Sequence, residues 1–203
     1  NEDFLNDRMN FIGNGESKSV KNNGKIIIGD KGYGALLGGQ ISNAGIVSAR
    51  LGKIALGAGE KITLDFVGDG LMSVSVPSEK LGIIKDINGN TLKSLISNSG
   101  LLKANGGIIK LSAATAKNLS RSSVNIGSSG LIIARSVNDK TGKVVIGSPT
   151  NEKIKIAGKI DVSGHRSLSP SGTIIVRGRS VTHNGKIFAR GGTGGKVNII
   201  SKD

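Results

Sequence analysis

The sequence predicts an all-β chain wound into a parallel β-helix with an extra-helical β-hairpin. Three observations carry that expectation: a Gly-anchored pattern of apolar positions that recurs along the chain, strict apolar–polar alternation inside each recurrence, and a composition with 32 Gly and only 2% aromatic residues in 203.

The repeat comes first, because self-similarity decides the architecture before any single element can be assigned. Gly24, Gly45, Gly100, Gly130, Gly158 and Gly185 each sit between two apolar stretches. Four residues before these glycines stand Val20, Ile41, Ile96, Ile126, Ile154 and Val181, and two after them stand Ile26, Val47, Leu102, Ile132, Ile160 and Ile187. Four after come Ile28, Ala49, Ala104, Ala134, Val162 and Ala189, a mostly small position. A second glycine, at Gly52, Gly107, Gly142, Gly172 and Gly195, opens a further stretch. Two residues beyond it lie Ile54, Ile109, Val144, Ile174 and Val197, and four beyond lie Leu56, Leu111, Ile146, Val176 and Ile199. Every one of these positions is apolar against a background of 36%.

The residues between them include Lys53, Lys110, Lys143, Thr173, Lys196 and Asn198. A period of 2 means strands with one face turned inward. The first-glycine anchors are 21, 55, 30, 28 and 27 residues apart. The shortest spacing fits one coil of three short strands, and the longer ones need insertions at corners, which a stacked coil tolerates. The expected result is six or seven coils with strands about 4.8 Å apart. Ile54, Ile109, Val144, Ile174 and Val197 should form one inward ladder.

Gly permits sharp corners and left-handed backbone angles, and Asn is the other common choice for them. Two residues before the anchors stand Asn22, Asn43, Asn98, Ser128, Ile156 and His183. This predicts an Asn ladder at one corner, Asn22, Asn43 and Asn98, that becomes irregular in the second half. The largest insertion covers residues 60–94. Within it Ile62, Leu64 and Phe66 alternate with Lys61, Thr63 and Asp65, Gly68-Asp69-Gly70 turns, and Leu71 to Val76 returns. That pattern reads as a β-hairpin that projects from the coil or packs over it, with Ile87-Asn88-Gly89-Asn90 as a further turn.

Composition agrees. Few rings and many Ile, Leu, Val and Ala suit thin stacked layers better than a compact globule. With no Cys there is no disulfide framework and no thiolate metal site. No apolar run approaches the roughly 20 residues that span a bilayer, and no signal peptide is visible. The chain reads as a single β-helix domain over residues 1–203 that opens on Asn1, hence a fragment or processed product of a larger protein. The net charge of +14 is spread singly over residues such as Lys25, Lys53, Lys110, Lys143, Lys159 and Lys196. Without a basic block or stacking aromatics, solvated strand faces account for it, and no nucleic-acid partner is expected.

The segments Ala35-Leu36-Leu37-Gly38-Gly39, Ile41-Ser42-Asn43-Ala44-Gly45, Gly52-Lys53-Ile54-Ala55-Leu56-Gly57-Ala58-Gly59-Glu60, Leu64-Asp65-Phe66-Val67-Gly68-Asp69-Gly70-Leu71 and Asn98-Ser99-Gly100-Leu101-Leu102-Lys103-Ala104-Asn105-Gly106-Gly107 resemble the secretion domain of filamentous haemagglutinin-like exoproteins. These are the large adhesins of two-partner secretion. The likeness covers residues 1–134 and fades to a generic β-helix pattern beyond. It implies a right-handed parallel β-helix of the pectin lyase-like kind, passage through periplasm and outer membrane by a dedicated partner pore, secretion or display at the cell surface, and adhesion to host or neighbouring cells through an unidentified ligand. The hairpin residues Leu64, Asp65, Phe66, Gly68, Asp69, Gly70 and Leu71 become the candidate partner contact. The family's Asn-Pro-containing secretion motifs have no counterpart, since Pro77, Pro149 and Pro170 do not follow Asn. The N-terminal capping region is therefore expected to be missing, and no secretion-motif residue is carried over.

No catalytic, cofactor-binding or metal-binding residue is assigned. His165 and His183, the two histidines, lie in a Gly/Ser/Pro-rich insertion and in the corner slot, so both read as structural. Asp65, Asp69 and Asp86 are the one carboxylate grouping that suits a calcium-dependent β-helix polysaccharide lyase. Turn formation and solubility explain them more simply, leaving the lyase, or a glycan-binding module, as the alternative to a scaffold without catalysis. Gly32-x-Gly34 and Gly191-Gly192-Thr193-Gly194-Gly195 lack the spacing and following helix of nucleotide-binding loops.

Overall fold

A computed structural model describes residues 9–12, 19–59, 61–65, 71–75, 94–114, 122–137, 139–147, 153–164 and 169–201. The described residues hold 21 strands and no helix. Strand β1 (Met9–Ile12) precedes the coils. Coil 1 is β2 (Ser19–Asn22), β3 (Lys25–Ile28) and β4 (Tyr33–Gly38), and coil 2 is β5 (Gln40–Asn43), β6 (Ile46–Ala49) and β7 (Lys53–Ala58). An antiparallel pair follows, β8 (Lys61–Asp65) and β9 (Leu71–Ser75). Coil 3 is β10 (Ser94–Asn98), β11 (Leu101–Lys103) and β12 (Ile108–Ala113); coil 4 is β13 (Ser122–Ile126), β14 (Leu131–Ile133) and β15 (Lys143–Ile146). Coil 5 is β16 (Lys153–Ile156), β17 (Lys159–Asp161) and β18 (Thr173–Gly178), and coil 6 is β19 (Ser180–His183), β20 (Lys186–Phe188) and β21 (Lys196–Ser201).

Each strand pairs in parallel with its counterpart one coil on, so six coils build three six-stranded sheets. The chain is a parallel β-helix. The first sheet takes the opening strand of every coil, the second the middle strand and the third the last. The inward ladder of the third sheet runs Gly34, Ile54, Ile109, Val144, Ile174, Val197 in register. Ile54, Ile109, Val144 and Ile174 are fully buried in one core with their neighbours on the other two sheets.

Four details differ from the sequence reading. Val197 holds its place in the ladder but is 42% exposed, because no coil of the described chain stacks beyond β21. Coil 1 does contribute to that ladder, through Gly34, where a side chain would collide with the Ile28 side chain that fills the space. In coil 4, Val124 and not Ile126 pairs with Ile96, and Ile126 stands against Asn98. Ser128 is thereby displaced from the Asn row: Ser128 and Ser129 are two extra residues in the corner, closed by a Gly130 N–H bond to the Gly127 carbonyl. The fourth difference concerns the repeated glycines, which seldom serve left-handed angles. Gly106 and Gly147 are the described glycines at positive φ, while Lys31, Leu51 and Asp139 adopt it without being Gly. The corner glycines are needed for close approach: a Cβ on Gly107 would overlap the Gly52 carbonyl, and one on Gly100 the Gly45 carbonyl. Identical corners stack so tightly that backbone rests on backbone.

The hairpin packs over the coil. β1 adds antiparallel to β8, a strand the sequence reading lacked, giving a three-stranded sheet ordered β1-β8-β9. Its Ile62 and Leu64 bury against Ala55, with Met9, Tyr33, Ala35, Leu37 and Ile108 around them. Ala35 and Ala55 pair side by side and are small enough for a second sheet to lie on the outward face of the third. The turn residues Phe66, Gly68, Asp69 and Gly70, and the turn at residues 87–90, lie outside the described residues.

Candidate functional surface

The Asn row is a hydrogen-bonded wire. Asn22 Nδ2 donates to Asn43 Oδ1 at 2.8 Å, and Asn43 Nδ2 to Asn98 Oδ1 at 2.7 Å. The ends are held by backbone: the Gly24 N–H donates to Asn22 Oδ1 at 3.2 Å, and Asn98 Nδ2 donates to the Gly100 carbonyl at 3.2 Å. Asn43 and Asn98 are wholly buried. Each amide presents a donor and an acceptor along the axis, so a stack of identical amides satisfies itself. Beyond coil 3 the row turns apolar with Ile126 and Ile156 and ends on an exposed His183. Among the described residues this polar row serves the fold, and nothing in it is open to a ligand.

Of the hairpin residues, Leu64 is buried inward, and Asp65 and Leu71 are register partners in the β8–β9 pair. Asp69, Asp86 and His165 lie outside the described residues, and the described residues contain no cluster of three or more His, Cys, Asp or Glu able to hold a metal ion. Thr193, in the Gly-rich corner before β21, accepts from the Ser171 N–H at 3.2 Å, so that loop is stitched to the coil before it. Burial pushes the Tyr33 hydroxyl up to about 12, under the three-stranded sheet.

The outward face of the second sheet is different in kind. In coils 2 to 4 it carries an apolar row, Ile46, Leu101 and Leu131, which Lys25 precedes in coil 1. That row walls a shallow groove over Gly24, Gly45 and Gly100, with Lys25 and Ser129 at its ends. In coils 5 and 6 the same row becomes Lys159 and Lys186, side by side. The next outward row ends on Asp161 and Phe188.

Asp161 organises this end. Its carboxylate accepts from Arg135 Nη2 at 2.7 Å and Nε at 3.1 Å, and from the Ser163 N–H at 3.0 Å, with Lys159 Nζ at 3.7 Å. Burial alone would push the Asp161 carboxyl up, but the hydrogen bond from Arg135, those from the Ser163 backbone and hydroxyl, and the Arg135 charge together hold it below the ordinary carboxylate range. The Asp161 side chain is buried, whereas Arg135 remains half exposed. Lys159 Nζ and the Arg190 guanidinium carbon lie 4.7 and 4.6 Å from the centre of the Phe188 ring. Four cations, Arg135, Lys159, Lys186 and Arg190, thus share one face across three coils with one buried carboxylate. They were invisible as a group in the sequence because each stands on a different coil or corner.

A depressed carboxyl stabilises the fold above its unfolded pKa of about 3.9, and that stability disappears as pH falls through the lower folded value. Asp161→Asn is therefore expected to cost about 1 kcal/mol at pH 7, the gap between a charged and a neutral hydrogen bond. Thermal melts should show the gap closing below pH ~4. A gap that persisted undiminished at pH 2 would mean that the amide disturbs packing instead.

No helix among the described residues is long and apolar enough to cross a membrane. Compared with models of known protein families and with curated proteins, the chain matches none.

Proposed function

We propose that the chain is an export and scaffold segment of a large secreted or surface-displayed exoprotein of the filamentous haemagglutinin-like type, with no turnover of its own. The observation that carries this reading is the order of parts. Two short coils are followed by an antiparallel pair folded back over their outer face, and then by longer coils that continue the same ladders. The segments whose sequence resembles such exoproteins fall on β4, on β5, on β7, between β8 and β9, and on the end of β10 with β11, in that order. A rod of stacked coils buries its core without large rings or disulfides, which suits a chain that stays unfolded until it has crossed a membrane and then winds up coil by coil. On this reading an outer-membrane partner pore takes the chain through the periplasm and out of the cell, where the parent protein acts as an adhesin and virulence factor. Absence of turnover is supported by chemistry: there is no Cys, His183 sits exposed at the end of a structural row, and no nucleophile–base pair can be read in the sequence.

The test is export. The complete N-terminal region of the parent protein, co-expressed with its partner pore, should place this segment outside the cell, and deletion of residues 61–76 should reduce export or folding. Retention inside the cell despite a functional pore would overturn the reading. Normal export of a folded deletion variant would withdraw the hairpin's role in secretion. Calcium-dependent release of unsaturated sugars from an acidic polysaccharide, lost on changing Asp65 or Asp69, would move the chain to the lyases.

A further inference from the structure

We propose that Asn184 is a site of spontaneous deamidation, in which the Gly185 backbone nitrogen attacks the Asn184 side chain, and that the isoaspartyl product loosens coil 6 from coil 5. The site is independent of the export reading.

Asn-Gly is the pair most open to this reaction, because glycine has no Cβ to shield its own nitrogen and bends readily toward the side chain before it. The sequence has five such pairs, of which those at residues 14–15 and 88–89 lie outside the described residues. The other three, Asn23-Gly24, Asn105-Gly106 and Asn184-Gly185, all stand at corners between strands. The stack treats them differently. At Asn23-Gly24 the Gly24 N–H donates to Asn22 Oδ1 at 3.2 Å, and that amide is itself tied to Asn43. At Asn105-Gly106 both reacting groups are held by one residue of the next coil. The Gly106 N–H donates to the Arg135 carbonyl at 2.6 Å, and Asn105 Oδ1 accepts from the Arg135 N–H at 3.1 Å. Neither glycine nitrogen is available until its hydrogen bond opens.

Asn184-Gly185 has no such lock. The Asn184 N–H donates to the Ile156 carbonyl at 2.8 Å, but among the described residues nothing accepts from the Gly185 N–H and nothing bonds the Asn184 side chain. In coils 2 and 3 the matching N–H groups, of Gly45 and Gly100, donate to the Asn22 and Asn43 carbonyls at 2.9 and 3.1 Å. The exposure of Asn184 belongs to its place in the coil: Ala44 and Ser99 are exposed at the same corner with a coil stacked on either side.

The reaction balances with water alone. The Gly185 nitrogen loses its proton to solvent and bonds to Asn184 Cγ; the Cγ–Nδ2 bond breaks, and the side-chain nitrogen takes up a proton and leaves as ammonia. Water then opens the cyclic imide at either carbonyl, giving aspartate or isoaspartate. Isoaspartate routes the main chain through the former side chain and adds a methylene to the corner. Gly185 has no room to absorb it, since even a Cβ there would overlap the Gly158 carbonyl. Just beyond, Lys186, Ile187 and Phe188 pair with Lys159, Ile160 and Asp161, so a displaced corner pulls β20 out of register with β17.

To test this, the 203-residue protein is held in mildly alkaline buffer, folded or in concentrated urea, and digested at intervals for peptide mass spectrometry. Labelling by an isoaspartyl methyltransferase counts the isoaspartyl product. In the folded protein Asn184 should convert at least about tenfold faster than Asn23 and Asn105, whose glycines must first break a hydrogen bond. In urea the three should convert at similar rates. Equal rates in the folded protein, or an Asn184 that stays an amide while the urea sample converts, would overturn the site. The effect on coil 6 is read against Asn184→Asp, which has the new charge on an ordinary backbone, and Asn184→Gln, whose longer side chain closes the ring poorly. The aged isoaspartyl fraction should melt below Asn184→Asp, and Asn184→Gln should lose no stability on ageing at this corner. Coincident melts of the isoaspartyl fraction and Asn184→Asp would overturn the loosening of coil 6.

Discussion

Ile109→Asp should abolish cooperative folding or lower stability by several kcal/mol, the cost of placing a carboxylate among apolar groups with no partner. Ile109 is fully buried between Ile54 and Val144. A domain has only about 5–15 kcal/mol of stability in total, so this one change consumes much of it. Lys155→Asp makes the contrast: Lys155 is on the outward face of β16, next to the inward Ile154, and its replacement should shift stability by no more than about 0.5 kcal/mol. Urea denaturation of the two variants checks both. Similar midpoints would mean that inward and outward positions are exchanged, since a slip of one residue swaps the faces of a strand.

Asn43→Ile is the second large effect, and it tests the amide wire through non-additivity. Ile is what coils 4 and 5 carry in the same row, so the shape is acceptable there. In coil 2, however, the change takes the acceptor from Asn22 Nδ2 and the donor from Asn98 Oδ1, both buried. Each stranded group costs about 1–3 kcal/mol, giving an expected loss of about 2–5 kcal/mol, softened where Asn22 Nδ2 keeps its bond to the Ile46 carbonyl. The triple variant with Ile at positions 22, 43 and 98 removes donors and acceptors together. It should be less destabilised than the sum of the three single variants, although the Gly24 N–H loses its acceptor. Simple additivity in a denaturation series would show that the three amides act separately.

The coils were legible because each inward slot recurs at a fixed offset from a glycine, and a parallel stack puts like on like. Ile54, Ile109, Val144 and Ile174 each follow a glycine by two residues for that reason. The failures have equally local causes. Gly34 escaped notice since the apolar rule finds side chains, and the coil uses Ile28 to fill that slot from the neighbouring strand. Counting from Gly130 puts the opening strand of coil 4 two residues out of register, because the extra corner residues lie on the near side of that glycine. β1 pairs Met9 with Leu64, far along the chain, and no turn announces such a partner. The reason for the glycines was also hidden, because close contact between backbones of successive coils leaves no trace in a local pattern. The basic face was scattered over residues 135 to 190 and existed only once the coils were stacked.

The antiparallel pair makes the stack mechanically uneven. β9 lies across both β7 and β12 and fastens coil 2 to coil 3 from outside. A coil otherwise touches little beyond its immediate neighbours, so tension on the chain loads the stack one coil at a time and meets its firmest resistance at this cross-braced pair. Such a stack yields in steps under pull, lengthening while the remaining coils keep their shape.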